Sequence, residues 1–122
     1  MSIFNNFKLV HLIGSTKQNK EKFIEAEKEL TKQGYIVFKP VLYGDEVNDD
    51  NLQMLTDMCS EKLQVCDIVC LVTPEHVGES TMKRLVQARN MNKILMTYNN
   101  KEMIPLIIAK TDISKIRRTK ND

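Results

Sequence analysis

Long apolar runs are missing from this sequence. No stretch approaches the roughly 18 consecutive apolar residues that a membrane-spanning helix needs, so no membrane partner is expected. The first residues, Met1 to Asn6, lack the basic patch, apolar run and small-residue cleavage site of a secretory leader. Cysteine is scarce and odd in number: Cys59, Cys66 and Cys70 have no Cys-x-x-Cys pairing. That argues against a disulfide framework or a zinc ribbon and predicts reduced, half-buried thiols in a cytoplasmic protein. Histidine is scarcer still. His11 and His76 are too scattered to suggest a metal site, and no metal or other cofactor is expected. A surplus of one charge sign is absent too. The 18 basic and 16 acidic residues leave a formal charge of +2, which gives no argument for a nucleic-acid-coating protein.

What is present reads as an ordinary globular chain. Hydrophobic residues make up 42% and charged residues 28%, too apolar a mixture for disorder. At 122 residues, against about 150 per domain, a single domain over residues 1–122 is expected. A core of this size is modest and can lean on a partner subunit.

Phe7 to Ile13 is a short run rich in branched residues that ends at Gly14, which predicts a buried strand. In the charged segment Lys17 to Gln33, the residues Phe23, Ala26 and Leu30 recur at helical steps, and Gly34 sits where a helix stops. Tyr35 to Phe38 is a second strand closed by Pro40. Residues 39–50 are polar, acidic and without period, as in an exposed loop. Asp50 or Asn51 can cap a helix over Leu52 to Val65, with Leu52, Leu55, Cys59 and Leu63 on one side. Asp67 to Val72 is almost wholly apolar, as in a central parallel strand covered on both faces. A turn over Thr73 to Gly78 leads into a helix from Glu79 to about Met91, with Met82, Leu85 and Val86 inward, and Lys93 to Tyr98 is a fourth strand. Met103 to Ala109 suits a short helix or a last strand, and Lys115 to Asp122 is a basic end expected to fray.

Repeated strand–helix alternation predicts an α/β three-layer sandwich with a mostly parallel, flavodoxin/Rossmann-like sheet. Such sheets bind ligands beyond the carboxyl ends of their strands, where the strand order reverses. Gly14 to Thr16 after the first strand and Thr73 to Thr81 after the third are the segments expected there. Each combines glycine and hydroxyls at a helix start, where free amides and the helix dipole favour an anion, and Lys17 adds charge to the first. The P-loop spacing is absent. The alternative for both segments is plain helix capping, with Glu79 merely favoured in a first turn. Asp67 either orients a catalytic group or caps the turn before its strand.

These residues resemble a family. His11-Leu12-Ile13-Gly14-Ser15-Thr16, Phe23-Ile24-Glu25-Ala26 and Gly34-Tyr35-Ile36-Val37 look like the first half of nucleoside 2-deoxyribosyltransferase-like proteins. Met58, Lys62, Cys66-Asp67-Ile68-Val69, Val77-Gly78-Glu79-Ser80-Thr81 and Ala88 resemble the second half. The likeness spans residues 8 to 97 and is closest to a small branch found in bacteria and their phages. It implies an N-glycosidase or transferase acting on a deoxynucleoside or its monophosphate, in which a glutamate attacks the anomeric carbon. It also implies phosphate binding by Ser15, Thr16, Gly78 and Ser80, and a homo-oligomer whose subunits share active sites.

One departure matters. The family's nucleophile lies four residues before the alanine matched by Ala88, and this sequence has Arg84 there. Arginine is charged at any accessible pH and cannot attack a sugar carbon. Two functions therefore stand side by side. The first is an active glycosidase or transferase with Glu79 as carboxylate and Asp67 as its orienter. The second is a catalytically inactive nucleotide binder, in which Gly14, Ser15, Thr16, Lys17, Gly78, Ser80, Thr81 and Arg84 hold the ligand.

Overall fold

A computed structural model describes residues 3–17 and 19–106. The elements run β1 (Leu9–Ile13), α1 (Lys20–Lys32), β2 (Ile36–Phe38), a short 3-10 turn (Gly44–Glu46), α2 (Leu52–Val65), β3 (Ile68–Leu71), α3 (Glu79–Asn90), β4 (Ile94–Asn99) and β5 (Glu102–Pro105). The five strands form one sheet in the order β2-β1-β3-β4-β5. All neighbours are parallel except β4 and β5, which are antiparallel. The expected α/β sandwich with a mostly parallel sheet is what the chain forms.

Alternation along β1 divides the core. Val10 and Leu12 face α1, packing with Phe23, Ala26 and Leu30, while Tyr43 from the loop after β2 meets Phe23 edge to face. Leu9 and Ile13 face the other way, onto Leu63 of α2 and Met82, Leu85 and Ala88 of α3. The continuous apolar run of β3 is explained by the same two layers: Ile68 and Cys70 join the first, Val69 and Leu71 the second.

Local chemistry sets the helix ends. At the close of α1, Gly34 takes φ +97° while its amide and that of Tyr35 donate to the carbonyls of Thr31 and Leu30. Asn92, at φ 62°, ends α3 in the same way, the amides of Asn92 and Lys93 reaching Arg89 and Ala88. Asn100 and Lys101 both have positive φ and form the two-residue turn between β4 and β5. The last apolar segment is thus a strand in its first part; residues 107–109 and the basic end lie outside the described residues.

The cysteines are free, with Cys66 and Cys70 buried. Burial pushes their thiols up to about 11 and about 12, far from the thiolate range. Among the described residues no helix is long and apolar enough to cross a membrane.

Candidate functional site

In the strand order β2-β1-β3-β4-β5 the direction of winding reverses between β1 and β3. The crevice beyond the carboxyl ends of these two strands is where this sheet type takes ligands. The turns that leave them are the two singled out by sequence, and a relay of hydrogen bonds joins them. The Ser15 amide donates to the Thr73 hydroxyl at 2.9 Å, and that hydroxyl donates to the His76 carbonyl at 3.3 Å. A Cβ added at Gly14, which has φ +149°, would lie 2.6 Å from Thr73 Oγ1. Only glycine lets the first turn approach the second this closely.

Capping by Ser15 or Thr16 does not fit the first turn, whereas Glu79 does stand in the first turn of α3, where the helix dipole favours it. Helix α1 begins at Lys20 with Asn19 as its N-cap, so Ser15 and Thr16 lie in a loop before it, not at its head. The Asn19 amide folds that loop by donating to the carbonyls of Ser15 and Lys17, at 3.1 and 2.8 Å. Helix α3 has Gly78 as N-cap and no side-chain cap, which puts Glu79, Ser80 and Thr81 inside its first turn. Across the mouth, Lys22 of α1 pairs with Glu75 at 2.9 Å. That hydrogen bond holds the Glu75 carboxyl below the usual carboxylate range.

The expected residues fall into distinct places. Gly14 and Ser15 are buried beside Thr73, Thr16 is half-buried and Lys17 is exposed. Gly78, Glu79 and Ser80 head α3 on the same edge, but Thr81 has no exposed surface, so an entering ligand does not meet it without rearrangement. Glu79 pairs with Lys83 one turn on, at 3.5 Å. Asp67 is set apart. It precedes β3 at the amino edge, where its Oδ2 accepts the Leu9 amide at 2.7 Å. Six residue steps, roughly 20 Å of extended chain, separate it from Thr73. An orienting role for Asp67 beside Glu79 does not fit that position; its carboxylate fastens the start of β1 to the start of β3.

A family model described as Domain of unknown function (DUF4406) matches residues 11–97. The chain belongs to this family. Comparison with curated proteins finds no match. The matched segment runs from β1 into β4 and so contains both turns and all three helices.

Sequence reasoning put Thr73 at the ligand edge, as the start of the second segment, without giving its hydroxyl a partner, and gave no role to His11 or Lys62. His11 lies in β1 on the face covered by α2 and α3, 4% exposed, and its Nδ1 has no hydrogen-bond partner. Its pKa falls from 6.5 to about 3, first through burial, then through the charges of Lys62 and Arg84. Burial raises the half-buried Cys59 thiol on α2, while the same two cations oppose the rise. One signal was available in the sequence: a histidine in an otherwise apolar strand. Among the described residues no group of three or more His, Cys, Asp or Glu side chains could hold a metal.

Proposed function

We propose that this member of the family binds a nucleotide, or a related phosphorylated ligand, across the carboxyl edge of the sheet between β1 and β3, without sugar chemistry of its own. The observation that carries the reading is the Ser15–Thr73 hydrogen bond, which ties the two hydroxyl-bearing turns into one crevice at the point where strand order reverses. Ser15, Thr16 and Ser80, with the first turn of α3, supply hydroxyls and amides for an anion. The resemblance to nucleoside 2-deoxyribosyltransferase-like proteins supports a nucleoside as the remainder of the ligand.

The same resemblance offers an N-glycosidase or transferase as a second reading. Three features weigh against it: Arg84 at the nucleophile's place, Glu79 engaged with Lys83, and Asp67 at the opposite edge. A homo-oligomer is part of the proposal, again by resemblance. The exposed Leu52, Met54 and Met58 of α2 are apolar surface that such an assembly would cover.

Both readings are separated by one pair of measurements. Deoxynucleoside and nucleoside monophosphates are screened for thermal stabilisation, and the same mixtures are followed by chromatography for free base. Stabilisation without base release is expected. Base release that disappears in Glu79→Gln would establish the enzyme instead, and no response in either measurement would overturn both readings.

A further inference from the structure

Two ties hold the turn after β3 against the chain around the start of α1. The inner one is the bond from the Ser15 amide to the Thr73 hydroxyl, in the floor of the crevice. The outer one is the ion pair between Lys22 Nζ and Glu75 Oε1, 2.9 Å long, which joins positions 53 apart in the chain. Both partners of the outer tie are connected to the inner one. Lys22 stands in the first turn of α1, its amide donating to the Asn19 carbonyl at 3.0 Å, and the Asn19 side chain reaches the Ser15 carbonyl. Glu75 rides on a tight turn closed by the His76 amide donating to the Thr73 carbonyl at 3.1 Å. Moving the 73–76 turn away from α1 therefore strains both ties.

With both ties made, the crevice is shut. Ser15 is 3% exposed, Thr73 has no exposed surface, and Gly14 and Gly78 are buried. A ligand does not reach Ser15 until the two turns part. The outer tie is suited to such parting: its side chains are 37% and 57% exposed, so water screens the pair. It biases the crevice toward closure without locking it.

We propose that the Lys22–Glu75 pair is a strap that opens to admit the ligand and closes again behind it, so that it sets the rate of entry and exit. This deepens the nucleotide reading and rests on it for what enters; the strap itself belongs to the free protein. Breaking an exposed pair of this kind changes the closed-to-open ratio by roughly two- to fivefold. Because the strap is made both before entry and after it, its loss acts equally on the free and the occupied closed forms. Rates therefore change while affinity does not.

The test uses the full chain and two readouts. Hydrogen exchange at the Ser15 amide of the free protein reports parting of the turns, with the amides of β3 as the reference for global unfolding. Surface plasmon resonance with a nucleoside 5'-monophosphate reports entry and exit. Glu75→Gln and Lys22→Gln should each quicken Ser15 exchange roughly two- to fivefold, with β3 unchanged, and should raise the association and dissociation rates by the same factor. The reversed pair, Lys22→Glu with Glu75→Lys, should bring both readouts back toward wild type. Should Ser15 exchange respond while no nucleotide binds, the strap stands and the nucleotide reading fails. Should the nucleotide bind with wild-type rates in both single variants, the strap is overturned and the nucleotide reading survives. Exchange that quickens equally at Ser15 and along β3 would make the pair a contact of general stability and overturn the strap as well. Unmoved exchange with no binding overturns both. All substitutions lie at side chains that are more than a third exposed, so the result does not depend on a core variant folding.

Discussion

The Ser15 amide and the Thr73 hydroxyl meet at 2.9 Å in the buried floor of the crevice, although 58 positions of chain separate them. This bond makes the turn after β1 and the turn after β3 one unit. Thr73→Val keeps the side-chain shape but leaves the Ser15 amide without its acceptor, at a cost of about 1–3 kcal/mol. Thr73→Ser keeps the hydroxyl and loses one methyl, about 0.8 kcal/mol. Urea unfolding should therefore rank wild type above Ser and Ser above Val, with ligand affinity falling in the same order.

Gly14 and Gly34 both have positive φ, but only Gly14 faces a neighbour: a Cβ at Gly34 would meet nothing within 4 Å. Gly34→Ala then reports backbone strain alone, about 1 kcal/mol. Gly14→Ala adds a collision with Thr73 Oγ1 to a φ of +149°, so it should cost more than Gly34→Ala by roughly 1–3 kcal/mol. Equal losses in thermal unfolding would show that the two turns tolerate being pushed apart.

Much of the fold was legible because period and punctuation agree. The stripe Phe23, Ala26, Leu30 and the stop at Gly34 place α1, and the full span Leu52 to Val65 emerges as α2. Where reading failed, it failed for physical reasons. Leu52 shares one side of α2 with Leu63 but is 49% exposed, because a helical stripe reveals an apolar side without saying whether anything covers it. The turn at Asn100 and Lys101 carries no glycine, so the β4–β5 hairpin gave a weak signal. In the site, glycine and hydroxyls mark both turns locally, whereas the bond between the Ser15 amide and the Thr73 hydroxyl forms only after the sheet is built. Asp67 was misplaced against a rule already in hand: a residue that opens a strand lies at its amino end, away from the carboxyl edge where such sheets bind ligands.

Asp67 therefore serves as a control on the site. Its Oδ2 receives the Leu9 amide at 2.7 Å. Asp67→Ala removes an acceptor from a partly buried amide, and a loss of about 1–3 kcal/mol in unfolding free energy is expected. At a temperature where the variant stays folded, its affinity for phosphate or nucleotide should equal that of wild type. A selective loss of binding, with stability intact, would return Asp67 to the functional set.

Acid should loosen the fold through His11. Burial first, and then Lys62 from α2 and Arg84 from α3, bring the imidazole from 6.5 to about 3, so the folded state keeps it neutral where the unfolded chain protonates it. Cys59 on α2, which the same two cations also act on, has its thiol raised by its own burial and stays uncharged over this range. The sign follows from proton counting: the contribution is complete above pH 6.5 and is lost as pH falls from 6.5 toward 3. The slope is about 1.4 kcal/mol per pH unit, and the full amplitude is roughly 4–5 kcal/mol. In urea unfolding, wild type should lose about 1.4 kcal/mol more than His11→Gln between pH 7.5 and pH 5.5, since only the last unit of that interval lies below 6.5. A wild-type profile parallel to that of the variant would mean that His11 titrates normally and that the buried nitrogen is reached by water.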